Sequence, residues 1–92
     1  MRDRRGLSKR ALFYLYRCAL AERWFTRPTR LEYPTPTPAQ IQALRDRDLL
    51  FYRGGTTRLT APGTLALLEV GIDLRSARAA EESWSTFAAR RT

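Results

Sequence analysis

Apolar positions in the first third of the chain recur at helical spacing. At 100° per residue Ser8, Ala11, Leu12, Leu15, Cys18 and Ala19 share one face. Phe13, Tyr16, Leu20 and Trp24 form a second apolar stripe beside it, which leaves Arg10, Tyr14, Arg17 and Ala21 for an outer strip. The pattern predicts a helix from an N-cap at Ser8 to about Phe25, stopped ahead of Pro28. A helix apolar around most of its girth is buried on more than one side. Its second side is therefore expected to be covered by a C-terminal helix or by another copy of the chain.

Helical periodicity fails over residues 26–37, "TRPTRLEYPTPT", where the alternating Pro-Thr run is stiff and extended. This segment is a loop that ends at a helix start, with Thr37 as N-cap and Pro38 at the first helical position. The next helix runs from Pro38 to about Arg47. It turns Ile41 and Leu44 inward, and Gln42, Ala43, Asp46 and Arg47 outward, with Gln40 at the margin. Leu49–Arg53 and Thr57–Thr60 then flank Gly54-Gly55 as a hairpin. Thr60 caps a third helix with Pro62 in its first turn, and Leu65, Leu67 and Leu68 are its expected core residues. Gly71 stops that helix in a left-handed conformation, with Ile72 placed for the accompanying apolar contact. From Leu74 to about Ala89 the residues Leu74, Ala77, Ala80, Trp84, Phe87 and Ala88 lie within an arc of about 140°, the mark of an amphipathic helix.

The expected fold is thus mostly α with a small β-hairpin, with a long N-terminal helix and a C-terminal amphipathic helix within residues 73–92. The chain has 92 residues, which make one domain that includes a basic flexible arm expected over residues 1–7. Sixteen Arg and one Lys against 9 acids give a net charge of +8, which favours polyanionic partners. A GC-rich coding bias would explain Arg in place of Lys, but not the sign of the charge. The single Cys18 and the absence of His exclude an internal disulfide and histidine-based catalysis. They also leave too few ligands for a zinc site, so no metal or cofactor is expected. Glu81-Glu82 are adjacent on a helix and do not face each other, and Gly54-Gly55 lack the lysine of a phosphate loop. An enzyme is therefore not expected. The apolar run Ala11–Tyr16 is too short for a signal peptide or a membrane span, so the protein is expected in the cytoplasm without membrane association.

Residues 39–69, "AQIQALRDRDLLFYRGGTTRLTAPGTLALLE", resemble the wing half of winged-helix DNA-binding domains of the MarR and PadR kind. The matching parts are Leu44 with Leu49-Leu50, the wing glycines Gly54-Gly55, Arg58-Leu59-Thr60, and Pro62-Gly63 leading into Leu67-Leu68. The resemblance implies a winged-helix-like domain, DNA binding in transcription control, and a homodimer through the terminal helices. The sequence departs from the pattern in three places. No supporting helix precedes Pro38, Asp48 stands where glycine is usual, and Asp46 lies on the outward face of the helix that would enter the groove.

On this reading duplex DNA is the favoured partner. Phosphate contacts would come from Arg2, Arg4, Arg5, Lys9 and Arg10 of the N-terminal arm and from Arg53, Thr56, Thr57 and Arg58 of the wing. Gln40, Gln42 and Arg47 carry the side-chain types that reach base edges. The plain alternative for Arg53 and Arg58 is edge-strand charge that prevents aggregation. Phe13, Tyr16, Leu20, Trp24, Trp84 and Phe87 are expected either at a dimer or partner interface or in the core of one chain. If they face a partner, a second function class opens: a small phage- or plasmid-type protein that binds a host machine, such as RNA polymerase or a defence (CRISPR) nuclease.

Overall fold

Each helix starts where a hydroxyl side chain can take up a free backbone N–H. Ser8 accepts from Ala11, Thr37 from Gln40, Thr60 from Gly63 and Ser76 from Ala79, at 3.0 to 3.2 Å. Such caps contribute roughly 1 kcal/mol apiece. In the computed structural model, which describes residues 7–90, they open α1 (Lys9–Trp24), α2 (Pro38–Asp46), α3 (Ala61–Glu69) and α4 (Ala77–Ala89). A two-stranded antiparallel hairpin, β1 (Leu50–Arg53) and β2 (Thr56–Leu59), lies between α2 and α3. The protein is therefore mostly α with a small hairpin. Its last helix begins at Ala77, later than the apolar arc implies, because Ser76 caps it and Asp73 ties down the preceding turn through Arg75.

The ends of α1, α2 and α3 are set by left-handed residues. Phe25, Asp48 and Gly71 have φ of 53°, 63° and 96°. At the end of α2 the N–H of Asp48 donates to Arg45 and that of Leu49 to Leu44. The same pair recurs after α3, from Gly71 to Leu68 and from Ile72 to Leu67. In both, the apolar residue after the reversal, Leu49 or Ile72, is buried, which fixes the direction in which the chain leaves. Asp48 therefore does adopt the conformation usually given to glycine. In the hairpin, positive φ at both Gly54 and Gly55 gives the tight two-residue turn whose twist suits antiparallel strands. That turn sets the register Arg53↔Thr56, Tyr52↔Thr57, Phe51↔Arg58 and Leu50↔Leu59.

α1 is the central element and packs against β2, α3 and α4. Its apolar girth is matched within the single chain. One stripe meets the hairpin and α3, and the other meets an aromatic cluster on α4. The Trp84 ring stacks on Tyr16 at 4.9 Å and 9°, and lies 5.3 Å from both Phe13 and Phe87. The loop over residues 26–37 closes this side like a strap. Tyr33 sets its ring edge against Phe13, Trp84 Nε1 donates to Glu32 at 3.3 Å, Arg17 donates to Thr35 at 3.0 Å, and Thr29 bonds to Glu81. The aromatics are thereby dry, and burial pushes the Tyr16 phenol up to about 12, with Glu81 and Glu32 adding to the rise.

This packing takes up one of the two placements expected for the aromatic set and corrects the expected core of α3. Phe13, Tyr16, Leu20, Trp84 and Phe87 are buried within one chain and Trp24 is half-buried, so their side chains form the monomer's core rather than a dimer or partner face. α4 and the strap supply the cover that a second chain would otherwise have given. In α3, Gly63, Ala66 and Leu67 face inward, while Leu65 and Leu68 are 48% and 46% exposed. The small residues Gly63 and Ala66 let the helix approach its neighbours closely, and that spacing rotates Leu65 and Leu68 outward.

Candidate nucleic-acid interface

The Leu59-Thr60-x-x-Gly63 element locks the hairpin to α3. Thr60 donates its N–H to Leu49 O at 3.2 Å and its hydroxyl to Asp48 O, while the same hydroxyl accepts from Gly63 N–H. Gly63 is buried against the backbone of Leu49, and a Cβ there would stand 2.2 Å from Leu49 O. The sequence feature that most suggested a wing is therefore a packing device, and it holds the hairpin at a fixed angle to the core.

Strand alternation divides the hairpin side chains. Leu50 and Leu59 are buried and share a face with Tyr52 and Thr57. Phe51, Arg53, Thr56 and Arg58 lie on the other face. With Gly54 and Glu22 they border an open groove of about 460 Å³. Glu22 of α1 fixes one wall: it accepts the edge N–H of Leu59 at 3.2 Å and sits 3.9 Å from the Arg58 guanidinium. Arg53 has no ion-pair partner among the described residues. On the opposite face the Arg45 guanidinium lies over the Tyr52 ring at 5.8 Å, joining the last turn of α2 to the hairpin.

The structure brings Arg53, Thr56 and Arg58 together but assigns other work to several residues expected beside them. Lys9 donates to Ala88 O at 3.1 Å and to Arg90 O at 2.7 Å, and lies 5.5 Å from the Phe87 ring centre. It thus closes the C-terminal end of α4, where a cation suits the helix dipole. Gln40 completes a capping box, its Oε1 accepting Thr37 N–H at 2.9 Å. Gln42 donates to Asp46 at 2.9 Å. Arg47 is half-buried as the C-cap of α2, and Thr57 is half-buried on the core side of the hairpin. Arg10 is exposed, beside a cavity of about 360 Å³ bordered by Ser8, Pro36, Gln40 and Leu44. Arg2, Arg4 and Arg5 lie outside the described residues.

No protein-family model, curated protein or solved structure matches the chain. Within the described residues, no helix is long and apolar enough to cross a membrane. Cys18 is buried in α1, and burial pushes its thiol up to about 11, so it is not held as a reactive thiolate. Phe51, Tyr52, Arg45 and Glu22 were not singled out from sequence. Strand parity carried a signal for Phe51, because the apolar pair Leu50 and Leu59 places it on the opposite face. Glu22 had no such signal, since it meets the hairpin only through the tertiary fold.

Proposed function

We propose that this is a non-enzymatic nucleic-acid-binding protein of the cytoplasm, a reduced winged-helix domain whose contacts come from the wing. The observation that carries this reading is the outward hairpin face, where Arg53 and Arg58 flank Phe51 and Thr56 around one open groove. A net charge of +8 adds the long-range attraction that phosphate binding uses. α2 contributes less than its position suggests, because both of its glutamine side chains are already hydrogen-bonded and Asp46 faces outward. Transcription control is the role that the winged-helix resemblance attaches to such a module. Reversing both charges, Arg53→Glu with Arg58→Glu, is expected to weaken binding at low salt at least about tenfold and to reduce the salt slope by about 2. Arg78→Glu on α4 is the control and is expected to change binding much less. Anisotropy titrations across a salt series read both, and unchanged binding by the double variant would remove the hairpin from the interface.

One observation favours the second reading, a protein that docks on a host machine. Phe25 is 93% exposed and sits in the left-handed region, a conformation that costs a side-chain-bearing residue roughly 1–2 kcal/mol. The fold gains little from this ring. Phe25→Gly is expected to stabilise the chain by about 1 kcal/mol and to raise the melting temperature by roughly 4–8 °C. Affinity capture from the native host with both versions tests the role. A protein held by the parent chain and released by the variant supports docking through Phe25, and identical eluates would sink it.

A further inference from the structure

We infer that the hairpin binds single-stranded nucleic acid, stacking unpaired bases on Phe51 and Tyr52. The inference rests on the nucleic-acid reading above and names the form of the ligand. Phe51 and Tyr52 are 37% and 59% exposed, whereas Phe13, Tyr16, Trp84 and Phe87 are buried and Tyr14, Trp24 and Tyr33 are half-buried. Phe51 and Tyr52, on opposite faces of β1, are thus two of the three exposed rings among ten aromatic residues, the third being Phe25 at the end of α1.

Each of the two rings is matched with a guanidinium. Phe51 stands across the strands from Arg58 and shares its face with Arg53 and Thr56. Tyr52 has Arg45 over its ring at 5.8 Å. A ring with cations beside it is the chemistry of single-strand binding, in which bases stack and phosphates meet arginine. Bases in a duplex already stack on their neighbours and offer only their edges and backbone, so they have no face to give to Phe51.

The groove suits such a ligand. Its volume of about 460 Å³ holds a nucleobase with its sugar and phosphate. Glu22 lies 3.9 Å from the Arg58 guanidinium and offsets part of its charge, so Arg53 is the stronger of the two phosphate contacts. At the turn, a Cβ built on Gly54 or Gly55 would meet nothing within 4 Å, so a strand can cross the tip closely. Base-edge reading in a major groove is poorly served by comparison. The side chains of Gln40 and Gln42 are engaged within α2, and no helix precedes α2 among the described residues after α1.

The test uses the full chain and two fluorescein-labelled probes, a 12-nucleotide oligo-dT and a 12-base-pair mixed-sequence duplex, at matched salt. The parent is expected to bind the single strand at least about tenfold more tightly than the duplex. Phe51→Leu and Tyr52→Leu keep apolar bulk on the exposed surface, and circular dichroism checks their fold. Each is expected to lose roughly 5- to 150-fold in single-strand affinity, the range for one stacked base, with duplex affinity changed less than about twofold. Duplex binding as tight as single-strand binding, or full single-strand affinity in the Phe51→Leu, Tyr52→Leu double variant, would overturn the stacking inference and leave the nucleic-acid reading standing. Binding of neither probe at low salt would overturn both.

Discussion

Trp84→Ala is expected to destabilise the fold by about 3–5 kcal/mol, the usual range for emptying a buried large aromatic site. A domain of this length has a total stability of only about 5–15 kcal/mol, so the variant loses a large share of it. The cost has three parts. The indole stacks on Tyr16 at 4.9 Å and contacts Phe13 and Phe87, so its removal leaves three rings facing a void. Its Nε1 donates to Glu32, which also holds the strap over residues 26–37 onto α4. The cavity lies between α1 and α4, where one backbone cannot close the gap without leaving its other contacts. Trp84→Phe retains a ring and is expected to lose roughly half as much. Denaturant titration of both variants measures this. A Trp84→Ala midpoint close to the parent's would show that the ring cluster is not what joins the terminal helices.

Gly63→Ala is expected to cost about 2–3 kcal/mol and to lower the melting temperature by roughly 10–20 °C. An added methyl in a helix ordinarily helps, by roughly 0.5–1 kcal/mol. Here the methyl would stand 2.2 Å from Leu49 O, and its next neighbours are the Leu49 carbonyl carbon and the Leu59 side chain. The nearest group is backbone and cannot rotate away, so α3 must retreat from the hairpin. That retreat strains the Thr60 bonds to Leu49 and Asp48, which hold the hairpin to the core. The same substitution is therefore expected to move the Phe51–Arg53 face as well. A thermal melt of Gly63→Ala within a few degrees of the parent would show that this contact is looser than the geometry requires.

Much of the secondary structure was legible in the residues, because its causes are local. Ser8, Thr37 and Thr60 mark helix starts through a bond to a backbone N–H only three residues away. Gly71 marks an end through its own φ, and Gly54-Gly55 set the hairpin turn through theirs. Asp48 was legible as a departure from glycine, and the structure gives it the glycine conformation all the same, since Leu49 is buried only if the chain reverses there. In α3 the expected core residue Leu67 is buried, but Leu65 and Leu68 are not, because leucine content does not reveal close approach between helix and hairpin. Gly63 and Ala66 are small for a reason that becomes visible only when the neighbouring backbone is in place.

The candidate site divides along the same line. The basic charge, the glycine turn and the positions of Arg53 and Arg58 in a hairpin follow from residue order alone, because period-2 alternation and turn chemistry act over a few residues. Sequence could not show that Lys9 would cross the molecule to close α4, or that Glu22 would brace the hairpin edge from α1. Both contacts join residues far apart in the chain, and no local rule selects one long-range partner over another. The same holds for the apolar girth of α1. Its residue pattern required cover on two sides, but whether that cover came from this chain or a second copy depended on α4 and the residue 26–37 strap reaching it. The tertiary structure decided that question, because Trp84, Tyr33 and Glu32 arrive there together.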